Sequence, residues 1–237
     1  MPVPMREIVA LPTGPTAVLW RRSARARKVS LRIDPRGGGV VVTLPLRAAE
    51  AAGLALLRDN AAWVADRLAR LPDPVLFTEG AAVPIGGLPH RILHVPGRRG
   101  GAWIEAGALL VCGEPEFLSR RVADFLRAEA RRQLSALAAA KAAAARLTPR
   151  RVVVKDTRTR WGSCTADGTL MFCWRLVMAP PHVQDYVVGH EVAHLRHMDH
   201  GPGFWALVAQ LTQHKRLATQ WLDAHGPGLM RVGAPGR

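Results

Sequence analysis

The residues whose types and spacing could do chemistry lie in the run His190-Glu191-Val192-Ala193-His194, an H-E-x-x-H pattern. Residues four apart on an α-helix are separated by about 6 Å and nearly one turn, so both imidazoles project from one face and can bind one metal ion. Glu191 lies about 100° round the helix from His190, which brings its carboxylate beside the metal and within reach of a bound water. The spacing predicts a zinc site with His190 and His194 as ligands and Glu191 as general base.

The third ligand must come from the residues that follow this helix. His200 follows His194 at the spacing of the metzincin pattern, H-E-x-x-H-x-x-G-x-x-H, although His197 stands where that pattern has glycine. On a continuous helix His197 would lie about 10.5 Å along the axis from His190, whereas two nitrogens on one tetrahedral zinc are about 3.4 Å apart. We therefore predict His200 as the third ligand, folded back by a turn over residues 196–199.

Two alternatives to this ligand set stay open. The third ligand could come from the C-terminal segment, which offers Asp223, His214 and His225. The histidines could also lie on the surface of an ordinary amphipathic helix. That second alternative does not account for two histidines, one glutamate and the helix breaker Gly201-Pro202-Gly203 in register.

Hydrophobic periodicity and turn residues predict the elements that carry this motif. The predicted elements are strands over residues 17–45, a helix over 48–71, short strands over 72–114, a helix over 115–147, a strand over 152–155, a hairpin over 157–175, a helix from Pro180 through His194 and a final core helix over 204–211. No internal repeat is evident. The prediction is an α+β fold: a loose tail (1–16), a β-rich N-terminal subdomain with one helix (17–114), a subdomain that carries the H-E-x-x-H run (115–228) and a C-terminal tail (229–237).

The hairpin over residues 157–175 is predicted from Asp167-Gly168, a strong two-residue turn signal. Such a turn places Cys164 opposite Met171 rather than Cys173, so no cross-strand disulfide is expected. An odd number of cysteines without a C-x-x-C pair is typical of a reducing compartment. No stretch approaches the roughly 20 apolar residues of a membrane span, and the N-terminus does not resemble a signal peptide. We expect a cytoplasmic protein with no membrane partner.

The charge balance bears on possible partners. The chain carries 33 basic and 18 acidic residues, a net charge of +15, and such a surplus attracts polyanions. Most of the basic residues are arginines in a chain also rich in Ala, Gly and Pro, so a coding bias that puts arginines on a solvated surface is an equal alternative. We expect at most weak, non-specific nucleic-acid binding that falls steeply with salt. The sequence does not indicate an oligomeric state.

Several further motifs accompany the H-E-x-x-H run. They are Arg160-Trp161-Gly162-Ser163-Cys164, Trp174-Arg175-Leu176, His200-Gly201-Pro202, Phe204-Trp205 and the opening strand from Arg21-Arg22-Ser23 through Leu31-Arg32. Together these motifs resemble those of the YgjP-like metal-dependent hydrolases, which are relatives of the SprT-like and WLM zinc proteases. The resemblance covers about residues 20–225. The resemblance implies a zincin-like catalytic region, a β-rich N-terminal part and peptidase activity, although a nucleotide pyrophosphatase label has also been attached to the group.

Three function classes follow. The first is a zinc metallopeptidase acting on peptides or proteins, in which Arg160 and Arg175 are candidates to stabilise an oxyanion and Tyr186 is a candidate to contact substrate. The second is a metal-dependent nucleotide (UTP) pyrophosphatase, which the many arginines would suit, although no P-loop or paired-carboxylate magnesium site is visible. The third is a DNA-associated protease like the SprT-like relatives, although the sequence has no zinc finger or helix-turn-helix signature. We favour the first.

Overall fold

The computed structural model describes residues 5–97 and 100–234, which form two compact units that meet in sequence between Asp73 and Pro74. The fold is α+β, as predicted. Among these described residues, none of the helices combines the length and the apolar character that crossing a bilayer requires.

The first unit is one four-stranded sheet followed by two helices. The strands are β1 (Met5–Leu11), β2 (Gly14–Ser23), β3 (Ser30–Asp34) and β4 (Gly39–Pro45), in the order β1-β2-β4-β3, with β2 and β4 parallel and the other pairs antiparallel. Alternate strand residues such as Val18, Trp20 and Val42 pack with Leu57 and Val64 of α1 (Glu50–Asp59) and α2 (Ala61–Ala69) in a closed apolar core.

Two expectations for this unit are wrong. Residues 5–16, expected as part of a loose tail, form β1 and the start of β2, because Val9 and Leu11 are buried against the sheet and outweigh the proline-rich composition. The single helix expected over 48–71 is divided at Asn60, which leaves the helical region (φ −107°, ψ 16°) while its side-chain amide donates to the carbonyl of Leu56. Residues 1–4 of the expected tail lie outside the described residues.

The second unit begins with a sheet of the same topology. Strands β5 (Ala82–Ile85), β6 (Leu88–Val95), β7 (Ala102–Glu105) and β8 (Ala108–Cys112) follow the order β5-β6-β8-β7, again with only the central pair parallel. The two sheets are thus a topological repeat that the sequence did not reveal. Backbone hydrogen bonding and side-chain alternation define this topology, and many different side chains satisfy both.

A long helix and a small sheet carry the rest of the second unit. Helix α3 (Leu118–Ala144) buries a stripe repeated every four residues, which comprises Leu118, Val122, Leu126, Ala130, Leu134 and Ala138. Strands β9 (Arg151–Lys155), β10 (Gly162–Cys164) and β11 (Thr169–Cys173) lie in the order β10-β11-β9, which leaves β10 at one edge. Helices α4 (Pro181–Ala193), α5 (Pro202–Leu211) and α6 (Lys215–Arg231) complete the unit.

The hairpin between β10 and β11 has a register one residue away from the prediction. Cys164 pairs with Leu170, and Ser163 pairs with Met171. The loop has three residues rather than two, because Gly168 takes a positive φ of 78° and the Thr165 amide pairs with the Thr169 carbonyl. All three cysteines are free, as expected.

The predicted subdomain boundaries also differ from the compact units. The structure separates the units between Asp73 and Pro74, whereas the prediction placed a boundary after residue 114, so β5 to β8 belong to the same unit as the H-E-x-x-H run. The described part of the expected C-terminal tail is not loose, because Leu229 and Met230 are buried in α6 and Val232 and Ala234 are buried just beyond it. Residues 235–237 lie outside the described residues.

Candidate metal centre

Helix α4 carries the H-E-x-x-H run in the interior of the second unit. Pro181 stands at its first turn, where a missing N–H costs nothing, and Val183, Val188 and Val192 are fully buried. The helix ends at Ala193, the chain turns through residues 194–199, and His200 follows immediately before α5. The α-helix thus fixes His190 and His194 on one face, and the turn decides where His200 lies.

The turn brings the third histidine back to the first two. One ring nitrogen from each of His190, His194 and His200 lies within 4.8 Å of the corresponding nitrogens of the other two. The Nε2 atoms of His190 and His200 are 3.4 Å apart, close to the separation of about 3.4 Å that two nitrogens have on a tetrahedral zinc ion. The predicted grouping of these three residues is therefore present, and their binding of a metal stays a prediction.

His197 has a different place. Its carbonyl oxygen accepts a hydrogen bond from Nδ1 of His194 at 2.9 Å, and its ring lies beside Gly203, where a Cβ would be 3.1 Å from Cε1 of the ring. The bond from His194 keeps the proton on Nδ1 and leaves the lone pair on Nε2 free to coordinate a metal. His197 thus orients a neighbouring histidine through its backbone.

Aromatic rings surround the triad of His190, His194 and His200 and pack against its imidazoles. Phe204 of α5 is fully buried, and its ring centroid lies 4.9 Å from that of His190, 4.5 Å from that of His194 and 4.7 Å from that of His200. Burial, then the neighbouring histidines and Lys215, lower the pKa of His190 to about 4. A neutral imidazole is the form that binds a metal, so the site is prepared for a cation.

Glu191 follows His190 directly in the sequence and packs against β10 of the small sheet. Its side chain is largely buried, and a methyl group at Gly162 of β10 would lie 2.5 Å from its Cγ and 2.7 Å from its Oε1. Only glycine at position 162 therefore lets the carboxyl approach the strand so closely. Burial raises the pKa of Glu191 to about 7, and the positive charge of Arg160 acts in the opposite direction.

The three weaker candidates fall into two groups. Arg160 is exposed and close enough to Glu191 to influence its charge, and the ring of Tyr186 lies 5.9 Å from that of His190. Burial and the charge of Glu191 raise the pKa of Tyr186, so its hydroxyl keeps its proton. Arg175 differs from both, because only 1% of it is exposed.

Three contacts hold the buried side chain of Arg175. Its guanidinium pairs with Asp156, donates from Nε to the carbonyl of Val232 at 3.1 Å and lies over the ring of Trp174 at 4.2 Å. These contacts favour a structural role over the predicted one in oxyanion stabilisation. No sequence pattern distinguishes a buried, paired arginine from one that binds substrate.

Four residues of the site had no predicted role. Phe204 and Trp205 were expected only as parts of a core helix, and Gly162 only as part of a motif. No role was expected for Lys215. Lys215 lies over Trp205 with its Nζ 3.4 Å from the ring centroid, and Trp205 in turn lies 6.0 Å from His190. The i, i+3 and i+4 spacing of Phe204, Leu207 and Val208 marks the buried face of α5, but no pattern indicates the other three residues.

A comparison with protein-family models bears on this arrangement. The model described as YgjP-like, metallopeptidase domain matches residues 27–225. The chain belongs to the YgjP-like family. The resemblance stated from the motifs is thereby confirmed, and the family carries metal-dependent peptidases, so the triad lies in a domain of the corresponding kind. Searches of curated proteins and of solved structures returned no match.

Proposed function

We propose that this YgjP-like protein is a zinc-dependent metallopeptidase in which His190, His194 and His200 hold the metal and Glu191 is the general base. The observation that carries the proposal is the convergence of the three imidazoles, with the Nε2 atoms of His190 and His200 at 3.4 Å. This separation is close to the one that two nitrogens have when they coordinate the same tetrahedral zinc ion. The family supports the same class of enzyme.

The donor set fits zinc. Three neutral imidazoles are a ligand set that catalytic zinc sites use, and they leave a fourth position open. The bond from His194 to the carbonyl of His197 is the kind of outer contact that fixes the orientation of a ligand histidine. When bound, zinc would act as a Lewis acid toward the scissile carbonyl and would lower the pKa of its water to near 7.

Glu191 would move the proton in this reaction. A carboxylate beside the metal accepts a proton from the attacking water and delivers it to the leaving nitrogen. Burial raises the pKa of Glu191 to about 7, near the operating pH at which a group can both take and give a proton. Gly162 supports this role because it lets the carboxyl lie directly against β10.

The substrate would lie along β10. This strand pairs with β11 on one side and, among residues 5–97 and 100–234, has no strand on the other. An extended peptide can add to such an edge through backbone hydrogen bonds, and Gly162 in the strand contacts Glu191. Arg160 lies two residues before Gly162, the first residue of β10, so its charge is available to an oxyanion that develops there.

We also propose that the protein works in the cytoplasm. The support is that Cys112, Cys164 and Cys173 are all free, which is typical of a reducing compartment.

Peptide cleavage by the purified protein tests the proposed function. The zinc-loaded protein should cleave members of a peptide library, lose this activity with a chelator and regain it with zinc. UTP is offered in parallel with the same metal, because a pyrophosphatase would hydrolyse it. Hydrolysis of UTP without cleavage of any peptide would contradict the proposal, and so would peptide cleavage that survives complete removal of metal.

A further inference from the structure

A polar cleft lies in the second unit, and none of its lining residues belongs to the histidine site. Its volume is about 180 Å³, and it is lined by Arg127, Arg131, Val154, Lys155, Asp156 and Trp174. The arginines come from α3, the valine and lysine from β9 and the tryptophan from the residue after β11. Pockets that bind drug-sized molecules measure roughly 300–1,000 Å³, so a cleft of this size suits a small ligand.

The charges that line the cleft are mostly positive. Arg127 and Arg131 are four residues apart on α3, where like charges repel, and Lys155 adds a third cation. Asp156 is the single acid in the lining, and it is paired with Arg175. Arg127 pairs with Asp124 at 3.4 Å, on the exposed side of α3. Among the residues that the structure describes, neither Arg131 nor Lys155 has an ion-pair partner, so the lining keeps two cations without a counter-charge. A group of cations that the chain itself leaves unbalanced favours an anionic ligand.

Trp174 forms the apolar wall of the cleft. Only 2% of its surface is exposed, and the guanidinium groups of Arg127 and Arg175 lie over its ring, at 5.6 Å and 4.2 Å from the centroid. These contacts hold Arg127 at the cleft. Arginine and lysine side chains can only donate hydrogen bonds, so the cationic groups that line the cleft fit a ligand that accepts them.

We propose that this cleft binds a phosphate group, either as free phosphate or as a phosphate monoester. A tetrahedral phosphate offers several oxygens in different directions, which matches donors that come from a helix and from the end of a neighbouring strand. Two guanidinium groups one turn apart match its charge and geometry, because arginine forms bidentate bonds to phosphate. Binding would also remove the repulsion between Arg127 and Arg131.

Calorimetric titration of the full-length protein tests this site. Inorganic phosphate is titrated at constant ionic strength set with chloride, and a nucleoside monophosphate is titrated in the same way. The variants are Arg131→Gln and Lys155→Gln. The control is Arg120→Gln, which removes the same charge from the same helix but at a side chain that lies over Phe117, about 16 Å along the axis from residue 131. Circular dichroism checks that every variant is folded.

We expect saturable binding of phosphate over chloride in the unchanged protein and a dissociation constant raised at least about tenfold in each cleft variant, the usual result of losing one charged hydrogen bond. Arg120→Gln should bind as the unchanged protein does. Equal affinity for the monophosphate would show that an ester is accepted, and binding of phosphate alone would show that the ligand is the free ion; both support the proposal. No saturable binding, or an equal loss in Arg120→Gln, would overturn it.

Discussion

The second unit contains two polar regions with different surroundings. One is the guanidinium of Arg175, and the other is formed by the imidazoles of His190 and His200. Arg175 is buried and receives a carboxylate from Asp156, a carbonyl from Val232 and the face of Trp174. The two imidazoles instead turn nitrogen to nitrogen at 3.4 Å. A buried charge that the protein satisfies itself is part of the structure, whereas imidazole nitrogens that converge from three histidines fit a metal ion from outside.

If the histidines hold the metal and Glu191 is only the base, loss of the Glu191 carboxylate should stop peptide cleavage without releasing zinc. This loss of activity is the largest effect that we expect. Glu191→Gln keeps the size and burial of the side chain but removes the base, so peptide cleavage should fall by about 10²–10⁴-fold. Bound zinc, measured by elemental analysis, should stay near one per chain. Loss of zinc together with activity would show that Glu191 is a ligand or a structural residue.

At Arg175 we expect a loss of stability without a loss of bound zinc. Arg175→Ala removes a buried guanidinium that bonds Asp156 and Val232, while the Asp156 carboxylate is 36% exposed and can be hydrated, so the loss is that of charged hydrogen bonds, about 1.5–3 kcal/mol of stability. Urea unfolding should report this loss, while zinc stoichiometry at low temperature should be unchanged. Arg175→Lys is the matched control, because it keeps the charge and should recover part of the stability. Normal stability with lost activity would instead support the predicted role of Arg175 in oxyanion stabilisation.

A smaller effect is expected at Gly162, where the strand meets the base. Gly162→Ala places a methyl group 2.5 Å from Cγ of Glu191, so the carboxyl must move away from its position beside the triad. A displacement of about 1 Å at a reacting group can reduce the rate by up to about 10²-fold. Cleavage assays should show that loss with zinc retained. Gly201→Ala is the control, because its Cβ would meet nothing closer than 3.4 Å. Full activity in Gly162→Ala would mean that the position of Glu191 is not critical.

The sequence predicted the elements whose residues carry periodic patterns. The H-E-x-x-H spacing placed His190, His194 and Glu191 on a helix, and the break at Gly201-Pro202-Gly203 predicted the turn that brings His200 back. Helix α3 and the strands of the small sheet were also predicted, within a few residues of their bounds. These features depend on local spacing, which the sequence shows directly.

Other features depend on tertiary contacts that no local pattern shows. Residues 215–231 form α6 although they contain Gly226-Pro227-Gly228, which in a sequence indicates a break. The helix persists because its buried residues, Ala218, Leu229 and Met230, pack in the interior, and tertiary packing outweighs local propensity. The hairpin register was missed for a related reason: a glycine with positive φ can belong to a two-residue or a three-residue loop, and one residue of difference shifts every pair.

The choice of His200 over His197 as the third ligand is the claim on which the site depends most directly. Zinc affinity, measured by competition with a chromophoric chelator in His200→Ala and His197→Ala, tests it. In His200→Ala one of the three converging nitrogens is lost, and affinity should fall by more than about a hundredfold, beyond the range that outer contacts usually account for. In His197→Ala the backbone carbonyl that holds His194 remains, so affinity should barely change. The reverse ranking would contradict the account.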